Sequence, residues 1–297
     1  MSIEDKKRGA FWGLIIGDAL GAPVEFKMPG EFVPVTDYQS GGPHSLNKGE
    51  WTDDTSLALA LADSLANGWN TKDQLDKYCS WYEEGKYSVN GWCFDIGGTT
   101  KHALENYRDS GNPETCGLAD DDYSGNGSIM RLAPVPIKYS ELFFDLDELI
   151  RLAEESSATT HASKKCRDCC AYLATLIAGL INGIDREILL NDPYYIPPKV
   201  CTAVRLVAEG SYRKNKVKGS GYVVESLEAA LWAFHKAENF RKAVLAAVNL
   251  GDDADTTAAV CGQLAGAYWG FEAIPEEWRI NLAKNDLIEG YFNALIK

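Results

Sequence analysis

The sequence predicts an all-α fold, one compact helical domain over residues 1–297. Three observations carry that prediction. Apolar residues recur at helical spacing, as at Leu57, Ala58, Leu61, Ala62 and Leu65, which share one helix face. Small residues recur at every fourth position in two distant stretches, Gly9, Gly13, Gly17 and Gly21, then Ala258, Gly262, Gly266 and Gly270. Runs that alternate apolar and polar residues, the pattern of a half-buried strand, are scarce.

The first element opens in KKRGAFWGLIIGDALGA, from Lys6. A basic trio ahead of a short apolar run has the outline of a signal peptide. Glu4 and Asp5 neutralise the trio, Asp18 follows the run closely, and the glycines form a stripe suited to close packing, so we expect a core helix of a cytoplasmic protein. WTDDTSLALALADSL (51–65) supplies the next helix. CCAYLATLIAGLI (169–181) is apolar on all sides and too short to span a membrane, which predicts a central buried helix.

SLEAALWAFHKA (226–237) presents Leu227, Ala230, Leu231 and Phe234 on one face. A helix through Val244, Ala247 and Val248 stops at Asn249, Leu250 and Gly251. The second small-residue stripe follows, and two such helices predict very close contact. Loops rich in Pro or Gly are expected at 27–50, 109–128, 191–199 and 213–221, and none has the length or bias of an interdomain linker.

Composition excludes some partners. Asp and Glu number 43 against 29 Lys and Arg, a net charge of -14 that repels nucleic-acid backbones and anionic lipid surfaces. No apolar run reaches the ~18 residues of a membrane span. The eight cysteines lack paired zinc-type spacing and are expected to be buried reduced thiols.

Chemistry concentrates in two acidic clusters. GDDADTTAAV (251–260) crowds Asp252, Asp253 and Asp255 at the mouth of an apolar helix, and Asp53 and Asp54, flanked by Thr52 and Thr55, repeat the arrangement. Capping is one reading, since carboxylates near a helix N-terminus gain ~0.3 to 1 kcal/mol each. Crowding opposes it, because two carboxylates ~4 Å apart repel by about 4 kcal/mol at an effective dielectric near 20. If the clusters meet, a cation must offset the repulsion, and oxygen donors without His or Cys select magnesium, manganese or calcium. If they lie apart, each is an acidic cap, and the sequence alone leaves both cases open.

GLIIGDALGAPVEF (13–26), WTDDTSLALALADSL, CFDIGGTTKHAL (93–104), GNGSIMRLAPVPI (125–137), THAS (160–163) and AVNLGDDADTTAAVCGQLAGAYWG (247–270) together resemble the ADP-ribosylglycohydrolase family, of the dinitrogenase reductase-activating glycohydrolase type. The resemblance implies an all-α domain with a central cleft and two divalent cations, Mg2+ or Mn2+, that hydrolyses the N- or O-glycosidic bond between ADP-ribose and an acceptor. Its implied metal ligands are Thr52, Asp53, Asp54, Asp253, Asp255 and Thr256. Asp53, Asp54, Asp95 and Glu25 are the implied catalytic carboxylates. One departure is Asp252, where the family commonly has a second glycine; it either tunes the metal site or faces solvent.

Glu25 is expected near the metals, gating entry or holding water. Gly125, Asn126, Gly127 and Ser128 form a loop whose amides can approach a pyrophosphate, as a nest does, though Asn-Gly is also a plain turn. His161 is expected in the ligand pocket. Asp95 is expected either on the acceptor side, against a guanidinium or in proton transfer, or as a cap for a helix starting near Thr99. His44, His102 and His235 match no functional position. The expected substrate is an ADP-ribosylated protein, linked through arginine, or an ADP-ribosylated small molecule; membrane and nucleic-acid partners are not expected. The alternatives are serine-linked substrates, a catalytically silent, crystallin-like member that only binds ADP-ribose, and metal-dependent phosphate-ester hydrolysis.

Overall fold

Helical periodicity becomes helix along most of the chain. The computed structural model describes residues 1–214 and 216–297. Along it run α1 (Ile3–Gly21), α2 (Asp53–Leu65), α3 (Thr71–Glu84), α4 (Gly98–Ser110), α5 (Pro134–Lys138), α6 (Leu146–Ala158) and α7 (Lys164–Ile181). The second half adds α8 (Arg186–Asn191), α9 (Thr202–Ala208), α10 (Val223–His235), α11 (Phe240–Val248), α12 (Ala254–Trp269), α13 (Glu276–Asn281) and α14 (Asn285–Leu295). Among the described residues, β pairing is limited to three isolated bridges, so the predicted all-α class holds.

The centre is the pair α1 and α12, whose small-residue stripes face each other. A Cβ on Gly13 would fall into the carbonyl of Gly262, one on Gly9 into that of Gly266, and one on Gly17 into that of Ala258. Only glycine lets two helix backbones touch in this way. Against this pair pack α2 and α7, buried along nearly their whole length, and the predicted central helix at 169–181 is the buried body of α7. Outer helices such as α3 and α6 bury one face only.

Local chemistry sets the ends. The first helix starts at Ile3, ahead of the glycine stripe, because Ser2 accepts from the Asp5 amide at 3.0 Å and two acids occupy the first turn. The helix through Val244 ends at Val248, followed by Gly251 at φ 66, close to the predicted stop. The four predicted loops hold only short turns and helix ends; Asn215, within 213–221, lies outside the described residues. All eight cysteines are free, but Cys79, Cys93 and Cys201 are only half-buried, against the expectation of burial; burial pushes the Cys166 and Cys170 thiols up to about 12 and about 11, so they stay protonated. No helix among the described residues is long and apolar enough to cross a membrane.

Candidate functional site

One residue of α1 organises the start of α2. Asp18 is fully buried, and its Oδ1 accepts from the amide and hydroxyl of Thr52, each at 2.9 Å. Its Oδ2 accepts from the amide and hydroxyl of Thr55 at 3.0 and 2.6 Å. The first turn of α2 is therefore capped from another helix, which frees Asp53 and Asp54 from capping. Burial pushes the Asp18 carboxyl up to about 6 despite those four donors.

The start of α12 is seated by the same helix. A Cβ on Gly21 would collide with the backbone of Asp255, so the last turn of α1 rests directly on that residue. Ahead of α12 the chain reverses through Gly251 and Asp252, with φ of 66 and 57. At Gly251 a side chain would run into the Lys27 carbonyl, so glycine is required, whereas the Asp252 conformation is one that aspartate tolerates. Two backbone bonds of 2.7 Å, Asp252 N to Lys27 O and Phe26 N to Asp252 O, tie this turn to the residues after Glu25.

The two acidic clusters meet. Thr256 Oγ1 donates to Asp54 Oδ1 at 3.0 Å, and Thr52 Oγ1 lies 3.4 Å from Asp255 Oδ2. Above them opens a cleft of about 340 Å³, lined by Glu25, Asp53, Asp95, Asp253, Asp255 and Thr256, by the glycine loop 125–127, and by His161. Burial raises the carboxyls of Asp53, Asp54, Asp253 and Asp255, and neighbouring acids raise them further. Burial also pushes Glu25 up to about 7.

The donor set fits divalent cations. Among the described residues no lysine or arginine lines the cleft, and no ion pair reaches Asp53, Asp253 or Asp255. Asp54 Oδ2 is buried without a hydrogen-bond partner, a costly state for a carboxylate oxygen unless a cation meets it. The oxygens on offer are hard donors of the kind magnesium and manganese prefer.

Each sequence-predicted residue has a definite place. Thr52 and Asp54 lie under the cleft floor, fully buried, and Asp53 reaches its surface. Gly125 and Gly127 line the cleft; Asn126 also lines it, but its amide group donates to Ser226 Oγ at 2.9 Å and Asp253 Oδ2 at 3.0 Å. Ser128 does not line it, since its hydroxyl turns inward to accept from Ser157 at 2.9 Å. Asp95 lines the cleft and caps nothing: α4 begins at Gly98 with Gly97 ahead of it and no capping side chain. Asp252 does not line the cleft.

His161 is buried and neutral, its pKa lowered to about 3 by burial and by Arg131. Arg131 donates to Thr160 Oγ1 at 2.8 Å, so the Thr160 hydroxyl proton is free to be donated to His161 Nδ1, also at 2.8 Å. With Nδ1 accepting that proton, the ring's own proton sits on Nε2, next to Gly125 and Gly127.

Two residues escaped the sequence reading. Asp18 was visible as a lone acid inside an apolar run. His44, placed in no functional position, instead lies beside the cleft, with Nε2 3.0 Å from Glu25 Oε2 and 3.1 Å from Asp95 Oδ1. Hydrogen bonds to Asp95 and Glu25 push it up to about 10. The two shifts oppose each other, since a neutral Glu25 would weaken one bond. The imidazole is the protonated partner, because it meets two carboxylates and needs only one of them ionised.

The sequence model of the ADP-ribosylglycohydrolase family matches residues 1–297. The chain is 40% identical to the ADP-ribosylarginine hydrolase Tri1 of Serratia proteamaculans, over 98% of this chain and 79% of that protein. It is 30% identical to the ADP-ribosyl-(dinitrogen reductase) glycohydrolase of Rhodospirillum rubrum, over 96% and 92% of the two chains. A solved structure titled ADP-ribosylglycohydrolase-related protein complex is similar with a TM-score of 0.88 and 40% identity, covering 99% of this chain and 98% of that one.

Proposed function

The chain belongs to the ADP-ribosylglycohydrolase family, a family of glycosidic-bond hydrolases, and from that premise we propose that it releases ADP-ribose from arginine side chains of modified proteins. The observation that carries the reading is the convergence of the two acidic clusters under a cleft without lysine or arginine.

The residues that would hold two divalent cations are Thr52, Asp53, Asp54, Asp253, Asp255 and Thr256. Such a centre would supply Lewis-acid polarisation of ribose hydroxyls and activation of a water. The rest follows from the chain itself. His161 offers a neutral Nε2–H donor to the pyrophosphate, beside the glycine loop, and an acidic protein needs such uncharged donors to hold an anion. Asn126 serves the site indirectly, by fixing Asp253. Glu25 and Asp95 form the acceptor side, where a guanidinium finds charge-assisted partners.

Water adds to the anomeric carbon as the carbon–nitrogen bond breaks, and the proton lost by the water ends on the leaving guanidine. A carboxyl with a pKa near the working pH carries such a proton best, which suits Glu25 at about 7.

The test is incubation of the protein with arginine-linked ADP-ribose and magnesium or manganese, followed by product analysis. Free ADP-ribose is expected, with activity falling on the order of 10³-fold in Asp53→Asn and Asp255→Asn. AMP or phosphate as product would replace the reading with phosphate-ester hydrolysis. Binding of ADP-ribose without turnover would make the chain a silent member of its family.

A further inference from the structure

His44 links two carboxylates that belong to separate loops. Glu25 ends the turn after α1, Asp95 precedes α4, and one imidazole nitrogen stands within hydrogen-bond distance of both. The ring is held in place by Phe94, whose centroid lies 5.3 Å away, and only 18% of the His44 side chain is exposed.

The backbone around this contact passes through left-handed positions. Among the described residues six non-glycine positions have left-handed φ, and four of them line the cleft or adjoin residues at its edge: Phe26 at 63, Ser45 at 55, Asp95 at 60 and Asp252 at 57. Phe26 follows Glu25, Ser45 follows His44, and Asp252 precedes Asp253. Aspartate tolerates such a conformation, but in Phe26 it costs free energy and persists only where the surroundings enforce it. Three of the four fall on the two loops and the turn that meet at the His44 nitrogen.

We propose that His44 is a positioning residue whose Nε2–H, shared between Glu25 and Asp95, holds both carboxylates together on the acceptor side of the cleft. The proposal rests on the arginine-directed reading above and deepens it. Two carboxylates this close repel each other and would swing apart without a shared donor. When both carboxyls are ionised, the imidazolium between them leaves the trio one net negative charge, matched to one guanidinium. The strong basicity of His44 agrees with that placement. The three ligand atoms also lie within 4.8 Å of one another, so a metal ion is the competing occupant that an experiment must exclude.

The test compares wild type, His44→Ala and His44→Gln, each stripped with chelator and reloaded with magnesium or manganese. Thermal unfolding establishes that the variants fold. Steady-state kinetics use arginine-linked ADP-ribose, calorimetry uses free ADP-ribose, and ion content is counted. Loss of position predicts a kcat lower by about 10²-fold in His44→Ala. Affinity for free ADP-ribose, which lacks the acceptor, and ion content should not change. His44→Gln, whose amide offers two N–H donors, should recover most of the loss. Wild-type kcat in His44→Ala, no rescue by glutamine, an equal loss of ADP-ribose affinity, or a missing ion would each overturn the proposal. Should the wild type fail to cleave the substrate, the proposed reaction falls, and the clamp is read separately from the His44 imidazole resonances. Glu25→Gln and Asp95→Asn must both shift them; resonances unmoved by either substitution would overturn it.

Discussion

The acidic starts of α2 and α12 look alike in sequence and are built differently. Asp53 and Asp54 are delivered by a cap from outside, with Asp18 taking both donors of Thr52 and both of Thr55. Asp253 and Asp255 are delivered by contact, with Gly21 pressed on the Asp255 backbone, Asn126 holding Asp253, and the Thr256 amide donating to Asp255 Oδ1 at 2.8 Å. Both devices sit within one turn of the same helix, so α1 sets the distance between the clusters. The lesson is that the glycine stripe and the lone buried aspartate are parts of one alignment, and that packing at the core decides geometry at the site.

The comparison breaks most sharply at Gly21. Alanine there would force α12 away from α1, and overpacking of this kind costs about 3 kcal/mol or more. Gly21→Ala should lower the unfolding temperature and also displace the Asp255 side of the site, so bound ion should fall even in the folded fraction. Calorimetric ion counts on protein that retains native circular dichroism check this.

Asp18→Asn attacks the other device. Asparagine keeps one acceptor oxygen and turns an amide toward two donors, leaving part of the α2 cap unsatisfied, at a cost of about 2 kcal/mol. Denaturant unfolding should show that loss, with Thr52 and Asp54 disordered and the glycine loop unchanged by amide exchange. A variant as stable as the parent would mean α2 needs no external cap.

Asp252→Gly should do least. The residue has φ 57, does not line the cleft, and bonds its neighbours only through its backbone. Glycine relaxes the left-handed conformation, for a gain of at most about 1 kcal/mol. Turnover should match the parent, and a changed preference between magnesium and manganese would show instead that this carboxylate reaches the ions.

Much of the fold was legible because its signals are local. Apolar spacing marks α2 and α10, and the four-residue glycine stripes announce the contact of α1 with α12 without saying which residues meet. The acids were legible because like charges crowded without counter-charge need an explanation. What escaped depends on direction and on distant partners. Asp18 acts on residues 34 and 37 positions later, a link no periodicity contains. His44 sits in a Gly-Gly-Pro turn where neither spacing nor pattern distinguishes it. Ser128 adjoins a loop that lines the cleft, yet its hydroxyl points into the core, because sequence adjacency gives position and not orientation.

The central claim is that the acids crowd because divalent cations belong among them, and stability against pH tests it directly. In protein stripped of ions, Asp18 and Glu25 have folded pKa values of about 6 and about 7, and Asp53, Asp54, Asp253 and Asp255 are also raised. A carboxyl whose folded pKa lies above its unfolded value stabilises the fold fully below the unfolded value, near 4, and that contribution is lost as pH rises through the folded value. Unfolding free energy of the stripped protein should therefore fall between about pH 4 and pH 7, and magnesium or manganese should restore it at the upper end. A stripped protein whose stability is flat or rising across that window, and indifferent to either ion, would contradict the account and leave the acids as helix caps.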